Sequence, residues 1–378
     1  MRRTIFEPEH DVYRDSVRAF LGKRVIPFYS QWENDRIVPR ELFAQAGDLG
    51  AFAAVPAEFG GAGIIDYRYN AILPEEAAYA GVAPALIGLS LQSDVTLAYL
   101  LALTTGEQKA RWLPGVASGE TITAIAMSEP GTGSDLAGIR TRAVRDGDHY
   151  VISGTKTFIT NGINADLVIV AARTAEDPHR GLSLIVVERG TPGFERGRAL
   201  QKIGLHVQDT AELVFDHARV PAANLLGDEG SGFFSLTTNL PQERLSLAVA
   251  GVAGAAAALD WTVGYVKDRT AFGRKIGDLQ ATRFRLAELV TEVEITQTYV
   301  DRCISEHNAG TLSPVAAAKA KYWATDLQGR VVDACVQLHG GYGYMAEYPI
   351  ARAFIDSRAS RIYGGTNEIM KEIISKAL

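Results

Sequence analysis

"YVISGTKTFITNGINADLVIVAAR", Tyr150 to Arg173, decides how this chain folds. It is a pair of short runs rich in β-branched residues, separated by polar and glycine turn residues, and it sits in the middle of an otherwise helical chain. Neighbouring runs read the same way: "ITAIAMS", "LSLIVVE" and "TAELVFD", with "RDGDHY", "TAEDPHRG" and "ERGTPG" between them. A β block therefore extends from about Thr121 to Val220. Regular short strands with such turns fit a small barrel or a sandwich.

On either side the texture is helical. Pro8 suits a first helical turn, with Glu9 and Asp11 near the positive end of the helix dipole. Pro27, Pro39, Pro56 and Gly60-Gly61 divide the N-terminal part into several helices. "LIGLSLQSDVTLAYLLAL", Leu86 to Leu103, is apolar almost all round and predicts a buried helix. After Gly232 the stretches "RFRLAELVTEVEITQTYVDRCI" and "VAAAKAKYWATDLQGRVVDACVQL" are long amphipathic patterns of good helix formers. The division is 1–121 helical, 122–231 β, and 232–378 a helical bundle.

At 378 residues the chain is too long for one ordinary core. It is 47% hydrophobic and 22% charged, as a globular protein is. Its 38 Lys+Arg against 44 Asp+Glu leave a net charge of −6, which gives no electrostatic reason to bind nucleic acid or an anionic membrane. The two cysteines, Cys303 and Cys335, form no CxxC pair and read as small buried residues of a reducing compartment. "MRRTIFEPEHDVYRD" lacks the apolar core of a secretory signal. The longest apolar run, Leu247 to Leu259, is too short to span a bilayer and reads as a close-packed bundle helix. The expectation is a cytoplasmic protein with no integral membrane segment.

Several motifs carry polar groups in dense turns. "SEPGTGSD", Ser128 to Asp135, is either a ligand-binding turn or an ordinary strand connection. "GGYGYM", Gly340 to Met345, follows a helix rather than a strand and is not a dinucleotide fingerprint. No phosphate-binding P-loop, nucleophile elbow or metal-ligand spacing occurs. "LPQERLSLA" holds Glu243 and Arg244. On local grounds Pro241 opens or kinks a helix, and Glu243 in a first turn stabilises its dipole. "RIYGGTNEIM", Arg361 to Met370, has a tight two-glycine turn followed by one carboxylate, Glu368.

Taken in order, "AIAMSEPGTGSD", "GTKTFITNG", "DRTAFGRKIGDLQATRFRLAEL", "QLHGGYGYMAEYPIARAFID" and "RIYGGTNEI" resemble the acyl-CoA dehydrogenase family over nearly the whole chain. The resemblance implies a mostly α fold in three domains with a middle β-barrel between a helical domain and a four-helix bundle. It implies bound FAD, a homotetramer, an acyl-CoA substrate oxidised to the trans-2-enoyl thioester, and electron-transfer flavoprotein as electron acceptor. In most members the base is a Glu directly after the tyrosine of the C-terminal motif, which is Gly364 here. In the long-chain and isovaleryl branches it moves to the helix that opens the bundle. "LPQERL" and "YGGTNEIMKEI" are similar to the long-chain branch, so Glu243 becomes the base and a medium- to long-chain acyl group the expected substrate.

By the same resemblance the NH of Gly364 and a ribityl hydroxyl of FAD bind the thioester oxygen. Met127 and Ser128 meet the flavin edge, and Phe158 and Thr160 cover and bond its other face. Phe158 stands where Trp is common. Ser134 lies near the pantetheine or the pyrophosphate. Arg269, Phe272, Gln280, Gln337, Gly340 and Gly341 hold the adenosine half of a neighbouring subunit's FAD. Thr366 and Glu368 lie near the FAD of their own subunit. Tyr363 lines the acyl cavity, and "LIGLSLQSDVTLAYLL" flanks the acyl tail. Arg244 either tunes the base or serves as a structural ion-pair partner. The rival reading is the same chemistry on an acyl group tethered to a carrier protein. A longer acyl-CoA oxidase and a flavin-free homologue fit the motifs less well.

Overall fold

The computed structural model describes residues 3–378. Helices α1 (Pro8–Phe20), α2 (Tyr29–Asp35), α3 (Glu41–Asp48), α4 (Tyr67–Tyr79), α5 (Ala83–Ser90), α6 (Leu97–Leu103) and α7 (Gly106–Ser118) build the N-terminal layer. α7 opens with a capping box, in which Thr105 accepts from the Gln108 NH and Gln108 reaches back to the Thr105 NH. The expected helix from Leu86 to Leu103 is present. It is α5 and α6 run together through a π-helical turn, Leu91–Thr96, which apolar periodicity did not foretell.

Strands β1 (Thr123–Ala126), β2 (Arg142–Asp146), β3 (His149–Thr160), β4 (Leu167–Arg173), β5 (Leu182–Glu188), β6 (Phe194–Ala199), β7 (Thr210–Pro221) and β8 (Leu225–Leu226) follow. The expected barrel is not there. The strand order is β6-β7-β3-β2-β4-β5-β8, with β1 parallel to β4, and the end strands β6 and β8 do not pair. The sheet is open because its two halves fold onto each other instead of curling round. β2 touches β4 through a single residue pair, Arg142 and Arg173, since β1 occupies the same edge of β4 over Leu167–Val170. Val168, Val170, Ile185 and Val187 pack inward against Tyr150, Ile152, Leu213 and Phe215 of the other half. Leu167, Ile169, Leu184 and Val186 point the other way, against Leu100, Trp112 and Leu113 of α6 and α7. With both faces of β4 and β5 covered, these strands are apolar at almost every position, as buried strands are. Sequence pattern cannot tell such a folded sheet from a closed one.

The C-terminal layer contains α8 (Gly232–Asp268), a hairpin of β9 (Thr270–Ala271) and β10 (Arg274–Lys275), α9 (Gln280–Asn308), α10 (Pro314–His339), α11 (Pro349–Asp356) and α12 (Asn367–Ser375). Ala248, Val252, Ala255 and Ala258 of α8 pack against Ala324, Leu327 and Val331 of α10 and Leu289 and Val300 of α9. Small residues let these helices approach closely, so the run from Leu247 to Leu259 is the bundle helix expected. Ala83–Leu103 and Gly232–Asp268 are each long and apolar enough to cross a membrane by length and composition. Their apolar side chains are buried in three of the hydrophobic cores.

One close approach fixes the N-terminal layer to the sheet. Asn161, in the left-handed region at φ 61°, donates through Nδ2 to the carbonyls of Gly88 and Thr123, at 3.0 Å each. A Cβ on Gly88 would overlap Asn161 Oδ1 and crowd Phe43. Gly88→Ala is expected to destabilise the protein by about 1–3 kcal/mol through overpacking. The check is a denaturant titration, and an unchanged midpoint would show that α5 can shift freely.

Candidate active site

Glu243 lies well inside α8, which begins at Gly232. A first-turn role at a helix N-terminus is therefore ruled out, and Pro241 sits within the helix. The side chain is only 7% exposed. Tyr99, wholly buried on α6, donates its hydroxyl to Glu243 Oε1 at 2.7 Å. Burial pushes the Glu243 carboxyl above the usual carboxylate range, and the Tyr99 hydrogen bond and nearby Arg244 pull it partly back. Arg244 is itself buried and makes no hydrogen bond or ion pair among the described residues; its Nε is fully enclosed without a partner. Loss of water lowers its affinity for its proton, and the neighbouring Glu243 partly restores it.

The same segment of α8 is anchored on both sides of Glu243. Gln242 donates to the Asp94 carbonyl at 2.7 Å, and Ser246 donates to Asp94 Oδ2 at 2.5 Å. Asp94 lies in the π turn and also accepts from Asn70 and Ser93 at 2.7 Å and from Tyr67 at 3.4 Å.

The C-terminal motif forms the opposing wall. Gly364 and Gly365 have φ of 63° and 89°, where a side chain is strained. A Cβ on Gly364 would overlap Leu247 Cδ1. Leu247 is one helical turn after Glu243, on the same face of α8. The two positions at which the resemblance allows a base thus border the same space. The Gly364 NH has no partner among the described residues, so it is free to donate. Lys321 of α10, wholly buried, donates to the Gly365 carbonyl at 2.7 Å and to Asn367 Oδ1 at 3.0 Å. Burial depresses its pKa to about 8. Thr366 caps α12 by accepting from the Ile369 NH. Glu368 is exposed in the first turn of α12 and is no buried base. Tyr363 is partly exposed beside the turn.

The turn Ser128–Asp135 lies beside β3 at the end of β1. Lys156, wholly buried, donates to the Met127 carbonyl and to Glu129 Oε1, both at 2.9 Å. Glu129 also accepts from the backbone NH groups of Arg140 and Thr141 at 2.8 Å. The Thr157 NH donates to the Ser128 carbonyl at 3.0 Å, which sets Ser128 beside Phe158 and Thr160. The Ser128 hydroxyl has no partner among the described residues. Thr160 accepts from Gln208 Nε2 at 2.8 Å and keeps its own hydrogen to donate. Phe158, in the left-handed region, leaves 69% of its surface exposed. An open aromatic face near two hydroxyls that each keep a hydrogen to donate suits a planar, hydrogen-bonding ring such as a flavin. Ser134 is exposed at the rim.

The remaining expected cofactor residues gather elsewhere. Arg269 stacks over Tyr342 at 5.5 Å, and Tyr265 donates to the His339 carbonyl at 3.1 Å. Arg269, Phe272, Gln280, Gln337, Gly340 and Gly341 are therefore at one end of the bundle, all exposed, with Phe272 at 96%. Along α8 this end is about 39 Å from Glu243, at 1.5 Å per residue. Tyr99, Asp94, Lys156, Leu247 and Lys321 were not foreseen. A charge inside an apolar helical run was the available signal for Asp94.

Family profiles described as acyl-CoA dehydrogenase N-terminal, middle and C-terminal domain match residues 7–120, 124–218 and 230–378. Long-chain specific acyl-CoA dehydrogenase, mitochondrial, of Sus scrofa is 47% identical over 379 residues, covering 100% of this chain and 88% of the relative. The crystal structure of acyl-CoA dehydrogenase from Geobacillus kaustophilus is 49% identical with a TM-score of 0.96, covering 98% of each chain. A chain from the structure described as electron transferring flavoprotein of Acidaminococcus fermentans is 33% identical with a TM-score of 0.94, covering 100% of this chain and 99% of that one. The expectation of a cytoplasmic protein is overturned. The pig relative and its rat and mouse counterparts, both 45% identical, are mitochondrial proteins. Two unpaired cysteines do not say which compartment holds the chain. By sequence over its whole length and by fold, the chain belongs to the acyl-CoA dehydrogenase family.

Proposed function

We infer that the protein is an FAD-dependent acyl-CoA dehydrogenase that converts a saturated acyl-CoA to the trans-2-enoyl-CoA, with electrons passing to electron-transfer flavoprotein. The observation that carries the mechanism is Glu243, a buried carboxylate hydrogen-bonded on one oxygen and set across Leu247 from the Gly364 turn. The free Gly364 NH binds the thioester oxygen and stabilises negative charge as it develops there. Glu243 takes the α-proton; its raised pKa makes it a stronger base than a solvated carboxylate. FAD held at this site would supply the acceptor for the β-hydrogen, which leaves as hydride. Met127 and Ser128 would meet the flavin edge, and Phe158 and Thr160 would cover and bond its other face. Ser134 would reach the pantetheine or the pyrophosphate, Tyr363 would line the acyl cavity, and Thr366 and Glu368 would stand near the flavin of their own subunit. A medium- to long-chain substrate is supported by likeness to the long-chain specific relative.

The divisions 1–121, 122–231 and 232–378 fall between elements, since α7 ends at Ser118 and β1 begins at Thr123, and β8 ends at Leu226 and α8 begins at Gly232. The assembly we propose is a homotetramer. The long separation along α8 supports assigning Arg269, Phe272, Gln280, Gln337, Gly340 and Gly341 to the cofactor of a neighbouring subunit.

Glu243→Gln should slow flavin bleaching by a saturated acyl-CoA by about 10²–10⁴-fold, with FAD content unchanged. Wild-type rates in stopped flow would remove Glu243 from the mechanism. Glu243→Gly combined with Gly364→Glu should regain part of that rate. Recovery is limited because Leu247 must move and residue 364 must keep its left-handed backbone.

Lys156→Met leaves Glu129 buried without its cation, a loss of about 3–5 kcal/mol in comparable pairs. It should lower the melting temperature and loosen flavin retention, read as the flavin-to-protein absorbance ratio after gel filtration. Arg269→Ala should also lose FAD, more readily on dilution, if a neighbouring subunit completes the site; full retention at all concentrations counts against that.

A further inference from the structure

The helix facing the proposed base carries an irregular turn whose effect reaches the base itself. Ala83–Leu103 is continuous, but Leu91–Thr96 is π-helical. A single added residue rotates everything beyond it by about 100° about the helix axis. The turn therefore decides which face of α6 meets α8. In the observed register Asp94 is tied to Gln242 and Ser246 on either side of Glu243, and Tyr99 meets Glu243. Tyr99 is wholly buried, and its only hydrogen bond among the described residues goes to Glu243 Oε1. Glu243 Oε2 receives no donor among the described residues.

We propose that Tyr99 is a positioning residue that engages Oε1 of Glu243, leaves Oε2 as the proton-accepting oxygen, and sets the pH at which the base works. The proposal rests on the reading of Glu243 as the base. The side chain of a buried glutamate turns freely about its terminal bonds unless something holds it, and a phenol at 2.7 Å holds one oxygen in place. The same bond stabilises the ionised form. Burial beside an anion keeps the phenol itself protonated far into the alkaline range, so it remains a donor throughout. Other charged or titratable groups nearby are Arg244 on α8, Asp94 in the π turn with Tyr67 of α4 behind it, Lys321 of α10 beyond Arg244, and Tyr363 before the glycine turn. Replacing Tyr99 by Phe leaves all of these in place.

The test is the pH profile of flavin bleaching in the FAD-loaded enzyme. Wild-type rate rises with pH as Glu243 ionises. Tyr99→Phe removes a bond to the charged form, so the acid limb should move to higher pH by about one unit, the size expected for one hydrogen bond to a charged group. The rate should fall about tenfold on the acid side and return toward the wild-type value at alkaline pH. Replacing Tyr99 with 3-fluorotyrosine keeps the shape, strengthens the donor, and should move the limb the other way. In a Glu243→Gln background the limb itself should be absent, and adding Tyr99→Phe should bring no further pH dependence. An acid limb that stays put in both Tyr99 variants, or an equal loss at every pH, would make Tyr99 a packing residue and overturn the proposal. Those results would leave the base itself standing, because Glu243→Gln tests it separately.

Discussion

The carboxylate proposed as the base, which must be ionised to act, is held where ionisation is unfavourable, and the groups around it answer that constraint. Water around Glu243 would keep it ionised but weakly basic. Burial makes it more basic and costs stability. Its folded pKa is raised, so the native state binds the proton more tightly than the unfolded chain does. Stability associated with this group is present below the ordinary glutamate range and is lost as pH rises through the raised native value. If Glu243 is the base, as proposed, activity rises over that same interval. The site is thus most useful where it is least comfortable, as is common for functional residues.

Buried cations support the surrounding loops. Lys156 lies under Met127 and Glu129, and Lys321 lies under Gly365 and Asn367. Both have pKa values depressed to about 8 by burial. Each ammonium fixes a backbone carbonyl of a turn proposed to meet cofactor or substrate. Turns normally belong to the mobile end of a protein. Here two of them are fastened from below, so their outward NH and hydroxyl groups keep a constant direction.

The sequence made the order of helices, strands and helices plain because periodicity changes abruptly near Thr121 and Gly232. α9 and α10 were legible for the same reason. The proposed base was legible only by comparing two positions, a glycine at 364 and a glutamate at 243. Sheet closure was hidden, because strands covered on both faces read alike in a folded sheet and in a barrel. The π turn was hidden too. It changes register without changing composition, and Tyr99 looks like one more aromatic in an apolar helix until that register is known. Lys156 and Lys321 read as ordinary polar positions, since the carbonyls they serve lie far away in sequence.

The glycine turn explains why moving the base to α8 leaves the C-terminal motif otherwise intact. At φ 63° a side chain on residue 364 costs about 1–2 kcal/mol in backbone strain. Its Cβ would also enter the space held by Leu247. A glutamate there must gain enough in catalysis to offset both. With Glu243 as the proposed base, on the helix one turn away from Leu247, nothing offsets them and glycine is the relaxed residue. The NH at 364 depends on the backbone alone, so it survives the exchange. Lys321 holds the next carbonyl of that backbone, at Gly365, and the turn keeps its shape whichever element carries the carboxylate.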